Sequence, residues 1–418
     1  MTTESLAPVA PAERVETIDI LRGLALFGIL AANIRGFAGP AATYFSPHLF
    51  WPALHDRIAQ AFIDTFVQGK FIAIFAFLFG VGFAVQLERA DGRRFGWTYA
   101  RRLLILLGFG LAHGLLIWFG DILLTYALTG FVLILFRKRR DKTLLMWASI
   151  AFLLPLLLIT AGFIASRFGV KPPTPPPVTP EKLASLREIF AEGAWVDIQQ
   201  QRMKDTLGNW AAFPFLFWRL LALFLFGVLT WRRRLLQPPA ELLPRYRRVM
   251  AWALGSGVVL SIAATALRWM SGSTPSRLTP PGYAAMVLSW FGTVILATGY
   301  VCAVILLCND AVWRARLRRF GCVGRMALTN YLLQSIVGTL IFYNYGLGFF
   351  GSVGPAVLLP LTVLLYAIQV AFSGWWLRRF RFGPAEWLWR SLTYGRRFAL
   401  VEASPAALPR VAGDGPLS

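Results

Sequence analysis

The chain has 418 residues, 57% of them hydrophobic and only 15% charged, with a formal net charge of +22. A mean hydropathy of +0.58 lies far above that of a soluble enzyme and excludes a string of soluble domains. Almost all of the positive charge sits in short loops between apolar runs. That excludes a nucleic-acid-binding face, which would gather it on one soluble surface.

Apolar runs recur near 20–38, 61–87, 100–119, 121–137, 143–166, 209–231, 248–270, 282–308, 322–345 and 353–377. About 20 residues cross a hydrocarbon core of ~30 Å. The expected fold is therefore all-α, a polytopic membrane helix bundle of about ten helices in contact with the lipid bilayer. Residues 1–17 form a lead-in, 18–377 the bundle and 378–418 a basic tail. The lead-in carries Glu4, Glu13 and Glu16 and lacks a basic n-region, so it reads as cytoplasmic rather than as a signal peptide. Basic residues cluster after the second, fourth, sixth, eighth and tenth runs, at 89–102, 137–142, 232–248, 314–319 and 378–381, and the intervening short loops hold few. This alternation places the basic loops and both termini in the cytoplasm.

In the first helix, Asp19 and Arg22 share a face, as an ion pair or as an anion site facing the cytoplasm. Asn33 lies in its outer half. The second helix carries Asp64, Gln68 and Lys70. Membrane insertion of Asp or Lys near a helix centre costs roughly 2.5–3.5 kcal/mol, so these should face a partner or a wet cavity. The third helix carries His113 beyond the midplane, and Asp121 opens the fourth as its N-cap. Gly80, Gly82 and Gly227 should permit close helix approach. The long outer loop, 167–208, contains KPPTPPPVTP at 171–180, a stiff extended segment. A helix capped by Thr179 should follow it, either lying on the membrane surface or merely solvated. Arg219 in the sixth helix is deep enough to need a partner. The ninth helix carries Arg325, Asn330 and Gln334 in its inner half, with Gln369 of the tenth as their partner.

Asn33, Asp64, Lys70, His113 and Asp121 all fall in the outer half, which points to one shared cavity. A neutral imidazole beside a carboxylate can act as a general base near neutral pH. His113 with Asp121 is the first such pair, and His55 with Asp64 the second. No nucleophile elbow, Ser-His-Asp order, P-loop or zinc spacing stands out. Cys302, Cys308 and Cys322 have no metal spacing, and no bound cofactor or metal is expected.

The segments LRGLALFGILAANI, KFIAIFAFLFGVG, HGLLIWFGDILLTYALTG, GRMALTNYLLQS and GPAEWLWRSLTYG resemble the YeiB-like bacterial inner-membrane proteins of unknown function, in the same order from about residue 14 to 397. That family resembles a branch of the transmembrane acyltransferases, which include the heparan-α-glucosaminide N-acetyltransferase type. The resemblance implies a multi-pass protein of the inner membrane. It also implies acyl-CoA as cosubstrate, entering past Arg22 of Leu21-Arg22-Gly23, and a glycan, lipid or small-metabolite acceptor. Where glycan O-acetyltransferases place a His, this chain has Asn33, as in the heparan type. In this reading His113 or His55 is the base, Asp64 or Asp121 orients it, and Asn33 or Lys70 stabilises the oxyanion. The rival reading is a transporter for a small solute, with Lys70 and His113 as a proton relay. It would be favoured by paired broken half-helices, and the sequence displays none.

Overall fold

A backbone in lipid must pair its own N–H and C=O groups, so each apolar run becomes a helix. The computed structural model describes residues 15–44, 50–89, 95–170, 179–270 and 279–401. Among these, every regular element is helical. Eight segments are long and apolar enough to cross a membrane, and Leu123–Phe136 and Ala327–Phe342 are shorter apolar helices. The ten expected runs are thus present, and the chain is a multi-pass membrane protein.

In chain order the helices are α1 (Glu16–Ala38), α2 (Leu54–Phe62), α3 (Lys70–Arg89), α4 (Phe95–Leu116), α5 (Leu123–Leu133), α6 (Asp141–Arg167), α7 (Pro180–Ala191), α8 (Trp195–Ala211), α9 (Phe213–Arg232), α10 (Leu243–Met270), α11 (Pro280–Asn309), α12 (Ala311–Arg325), α13 (Ala327–Phe342), α14 (Pro355–Trp376) and α15 (Pro384–Tyr394). The central helix is α1, whose apolar stretch is 67% buried, against 17% for α6 and 22% for α14. Leu153, Leu157 and Leu158 of α6 and Val363, Leu364 and Ile368 of α14 are exposed, as lipid-facing positions are.

Small residues set the closest crossings. A side chain at Gly80 of α3 would collide with the Phe224 carbonyl of α9, and one at Gly227 with the Phe77 carbonyl. Gly82 faces Arg22 instead, so only two of the three glycines act as helix contacts. On α1 and α12, Gly23 meets the Phe320 carbonyl and Gly324 the Asp19 carbonyl. Antiparallel α10 and α11 pack at Gly257, Gly292 and Gly299.

Two expected continuous helices are broken. The second run splits into α2, a π-helical turn at Ile63–Val67, and α3, with Gly69 at φ +81° in the left-handed region that favours glycine. The ninth run splits at Met326 into α12 and α13. Arg325 therefore ends α12 instead of sharing a helix with Asn330 and Gln334. Within residues 378–401, α15 packs against α4 and α13. The lead-in up to residue 14, His48, the polyproline stretch at 171–178 and the tail beyond 401 lie outside the described residues.

Candidate functional site

A cavity of about 200 Å³ opens at the end of the bundle that carries the basic loops. A second, of about 180 Å³, lies deeper and shares Arg22, Gly82, Gln86, Tyr99, Arg102, Gly324, Arg325 and Arg390 with the first, so the two form one passage. Four of those shared residues are arginines. Arg22 pairs with Asp19 at 3.3 Å, as one of the two sequence readings has it. Arg102 stacks over the Trp389 ring at 3.7 Å, and its carbonyl accepts the Trp389 indole N–H at 2.9 Å. Burial lowers the Arg390 guanidinium to about 10, and Arg102 and Arg22 push the same way, so it remains charged at neutral pH. So many guanidinium groups around one void suit a polyanion.

The far end of the passage is lined by Ile29, Leu106, Ile122, Leu123, Tyr126 and Tyr331. Ile29 is ten residues beyond Asp19 on α1, roughly 15 Å along the axis. The floor of the passage is shaped by α15. Glu386 accepts from the Leu328 and Thr329 amides at 2.6 and 3.1 Å and from the Thr329 hydroxyl at 2.6 Å, so it caps the start of α13 at the Met326 break. Burial raises the Glu386 carboxyl above its usual range, and those hydrogen bonds pull against it.

Behind Tyr331 lie His113 and Asp121. His113 lies in the last turn of α4, where the Ile117 and Trp118 amides donate to its carbonyl and the chain then reverses. That reversal explains the eight-residue spacing: Nδ1 of His113 meets Asp121 Oδ1 at 3.0 Å. The same carboxylate accepts from the Leu123 and Leu124 amides at 3.1 and 2.9 Å, the capping geometry expected from sequence. Nε2 of His113 meets Ser335 Oγ of α13 at 2.8 Å. All three residues are buried. A Ser-His-Asp arrangement is thus present although none was legible. Ser335 lies 222 positions away on α13, and only the tertiary fold brings it to the imidazole. The Tyr331 ring covers the His113 ring at 5.0 Å.

The outer loop roofs this region. Gln199 and Arg202 of α8 donate to the Leu115 and Leu116 carbonyls, Thr206 to Gly114 at 2.8 Å and Asn209 to Phe119 at 3.1 Å. These are orphan carbonyls at and just beyond the C-terminal end of α4. Arg202 is buried, so α8 is neither merely solvated nor a surface float. Thr179 caps α7 as expected, its hydroxyl accepting from the Lys182 amide at 3.3 Å. Within α8, burial pushes the Asp205 carboxyl up to about 6.

The expected common cavity divides into two networks. In the second, Asp64 accepts from Gln60 at 3.0 Å, pairs with Arg35 at 3.4 Å and lies 4.0 Å from Arg268. Lys70 donates to the Asp64 backbone carbonyl at 2.7 Å and not to its carboxylate. Among the described residues no hydrogen bond joins this network to His113, and neither network includes the half-buried Asn33. Equal depth was the only basis for uniting them, and depth does not fix the direction around the bundle. Gln68 has a buried Oε1 without a hydrogen-bond partner. His55 is corrected too: its side chain is 71% exposed and meets Asp56 at 3.4 Å, not Asp64. Asp56 in turn caps α14 through the Ala356 amide at 3.0 Å. The expected Gln369 contacts form: Gln334 donates to its Oε1 at 3.0 Å, and Gln369 donates to the Asn330 carbonyl at 3.0 Å. Asn330 also donates to Ser373 at 2.9 Å, so both of these amide side chains tie α13 to α14. Arg219 finds the Trp290 ring at 4.7 Å.

No solved structure matches the chain significantly. The family profile described as "Protein of unknown function (DUF418)" matches residues 230–396. The chain is 38% identical over 412 residues to the uncharacterized protein YxaH of Bacillus subtilis (strain 168), covering 93% of this chain and 96% of that one. It is 36% identical over 406 residues to the uncharacterized protein YeiB of Escherichia coli (strain K12), covering 91% and 96%. An uncharacterized 39.9 kDa protein of Bacillus acidopullulyticus is 30% identical over 409 residues, covering 94% and 98%. With such identity along nearly the whole of both chains, the protein belongs to the YeiB-like family of unknown function.

Proposed function

We propose that this protein is a transmembrane acyltransferase of the bacterial inner membrane. In this reading it draws acyl-CoA from the cytoplasm and acylates a glycan, lipid or small metabolite towards the periplasmic side. One observation carries the reading: the passage that begins among Arg22, Arg102, Arg325 and Arg390 and ends at Tyr331, against His113. The positive-inside rule puts the arginine mouth in the cytoplasm, where a phosphate-bearing thioester is found. Guanidinium groups hold the phosphates, and the acyl arm extends between α1, α4 and α13. With the His113 Nδ1 proton given to Asp121, the Nε2 lone pair faces the Ser335 hydroxyl and can act as general base. His55, exposed and beside Asp56, has no place in this chemistry.

A transporter is the second reading, and the breaks at Gly69 and Met326 favour it, since unwound spans line substrate paths in many carriers. Purified protein melted with CoA and with acetyl-CoA separates the two. A ligand bound only by the folded form raises its stability by about 2.7 kcal/mol at a hundredfold excess over Kd. Acyl transfer requires such a shift in the wild type and its loss in Arg22→Ala. A wild type unmoved by either ligand removes the CoA reading.

A further inference from the structure

We infer that Ser335 is a nucleophile that carries the acyl group as an ester between donor and acceptor. This rests on the acyl-transfer reading above and adds a covalent intermediate to it. Three lining stripes converge on the serine. On α4, Tyr99, Arg102 and Leu106 face the passage, and His113 follows Leu106 by two turns on the same face. On α13, Tyr331 faces it, and Ser335 follows by one turn on the same face. Asp121 directly precedes the lining residue Ile122. The three polar groups therefore meet one side-chain layer beyond the blind end, and Tyr331 is that layer.

The hydrogen bonds define the roles. Asp121 accepts the Nδ1 proton of His113 at 3.0 Å, which leaves Nε2 to accept the Ser335 hydroxyl at 2.8 Å. Here the carboxylate is also held by two backbone amides, which fixes the imidazole against rotation.

The step balances without any further reagent. As Tyr331 turns aside, Ser335 Oγ attacks the thioester carbonyl and its proton passes to Nε2 of His113. The C–S bond breaks, the sulfur takes that proton, and CoA leaves as the thiol. An acceptor hydroxyl or amine then gives its proton to Nε2 and attacks the ester carbonyl. The C–O bond breaks, and the proton returns to Ser335 Oγ. The roof of α8 and the buried surroundings keep water from the ester between the two halves.

The test uses the full chain in lipid nanodiscs, in two arms. In the first, an alkyl fluorophosphonate, which labels serines activated by a His-Asp pair, is followed by peptide mass spectrometry. One adduct per chain on Ser335 is expected, with labelling about 10²–10⁴-fold slower in His113→Gln. An unlabelled Ser335 in the wild type, or equal labelling in His113→Gln, overturns the proposal. The wild-type result decides alone if His113→Gln does not fold. In the second arm, acetyl-CoA is added without acceptor, and one acetyl group on Ser335 is expected. A CoA-dependent melting shift with neither adduct nor acetyl group removes the nucleophile and leaves direct transfer. An adduct on Ser335 with no response to CoA keeps the nucleophile and removes the donor.

Discussion

Two buried polar networks occupy the half of the bundle away from the basic loops, and they differ in what they touch. Arg35, Asp64 and Gln60 form an ion-pair network between α1 and the π-helical turn, roofed by the Tyr44 ring at 4.6 Å from the guanidinium. His113, Asp121 and Ser335 carry less formal charge, yet they sit directly behind the wall of the passage from the arginine mouth. Insertion cost alone would rank the first network higher, because it contains more ionised groups in the membrane. Chemistry needs access as well as charge. Connection to a cavity, rather than the cost of burial, marks the candidate site.

Five variants put the difference between the two networks to the test. The largest effect is expected from His113→Gln: donor-dependent acyl transfer falls about 10²–10⁴-fold, while CoA still raises the melting temperature. Loss of both together would show that His113 holds the fold and not the chemistry. Next, Asp64→Ala leaves Arg35 buried without its carboxylate and should cost about 3–5 kcal/mol in thermal unfolding. If it unfolds like the wild type, the first network is not structural.

Glu386→Ala unpairs the Leu328 and Thr329 amides at the head of α13 and should cost about 1–3 kcal/mol. A denaturation midpoint unchanged from wild type would count against the cap. Asp205→Asn is smaller and depends on pH. Burial raises the folded pKa of Asp205 to about 6 from an ordinary value near 4. The native state therefore binds the proton more tightly than the unfolded one, and stability falls as pH rises from about 4 to about 6. The Asn variant should be more stable than wild type at pH 7, by about 1–3 kcal/mol, with a flatter melting profile between pH 4 and 6. Parallel wild-type and variant profiles would refute this. The smallest effect belongs to His55→Ala, exposed and remote from the passage: both melting temperature and transfer rate should stay at wild-type values. A drop in transfer would restore His55 as a base.

Much of the architecture is legible because a bilayer imposes a length and a polarity on each crossing, and both are linear properties of the chain. The ten runs, their alternating basic loops, the Thr179 and Asp121 caps and the Gln369 contacts all follow from local composition and spacing. Arg35 lies near the end of α1, where a guanidinium can snorkel to the interface, so its position along the chain does not mark it as buried. Tyr331 and Ser335 directly follow Asn330 and Gln334, and beside those amides a phenol and a single hydroxyl in an apolar helix carry no signal of their own. The breaks at Gly69 and Met326 are equally silent, because one glycine and one methionine interrupt no hydropathy window.

Composition and spacing alone specify a multi-pass all-helical protein, the end at which its basic loops gather, and His113 with Asp121 as one candidate pair beside His55 with Asp64. Each depends on residues within a few turns of one another. Folding in three dimensions adds Ser335 to His113 and Asp121, joins Asp64 to Arg35, and returns α15 to cap α13 beside the arginine-lined passage. Those facts depend on how each helix is rotated about its axis and which helices are neighbours. Rotation and neighbourhood are settled by packing at positions such as Gly23, Gly80 and Gly324, which hydropathy does not encode.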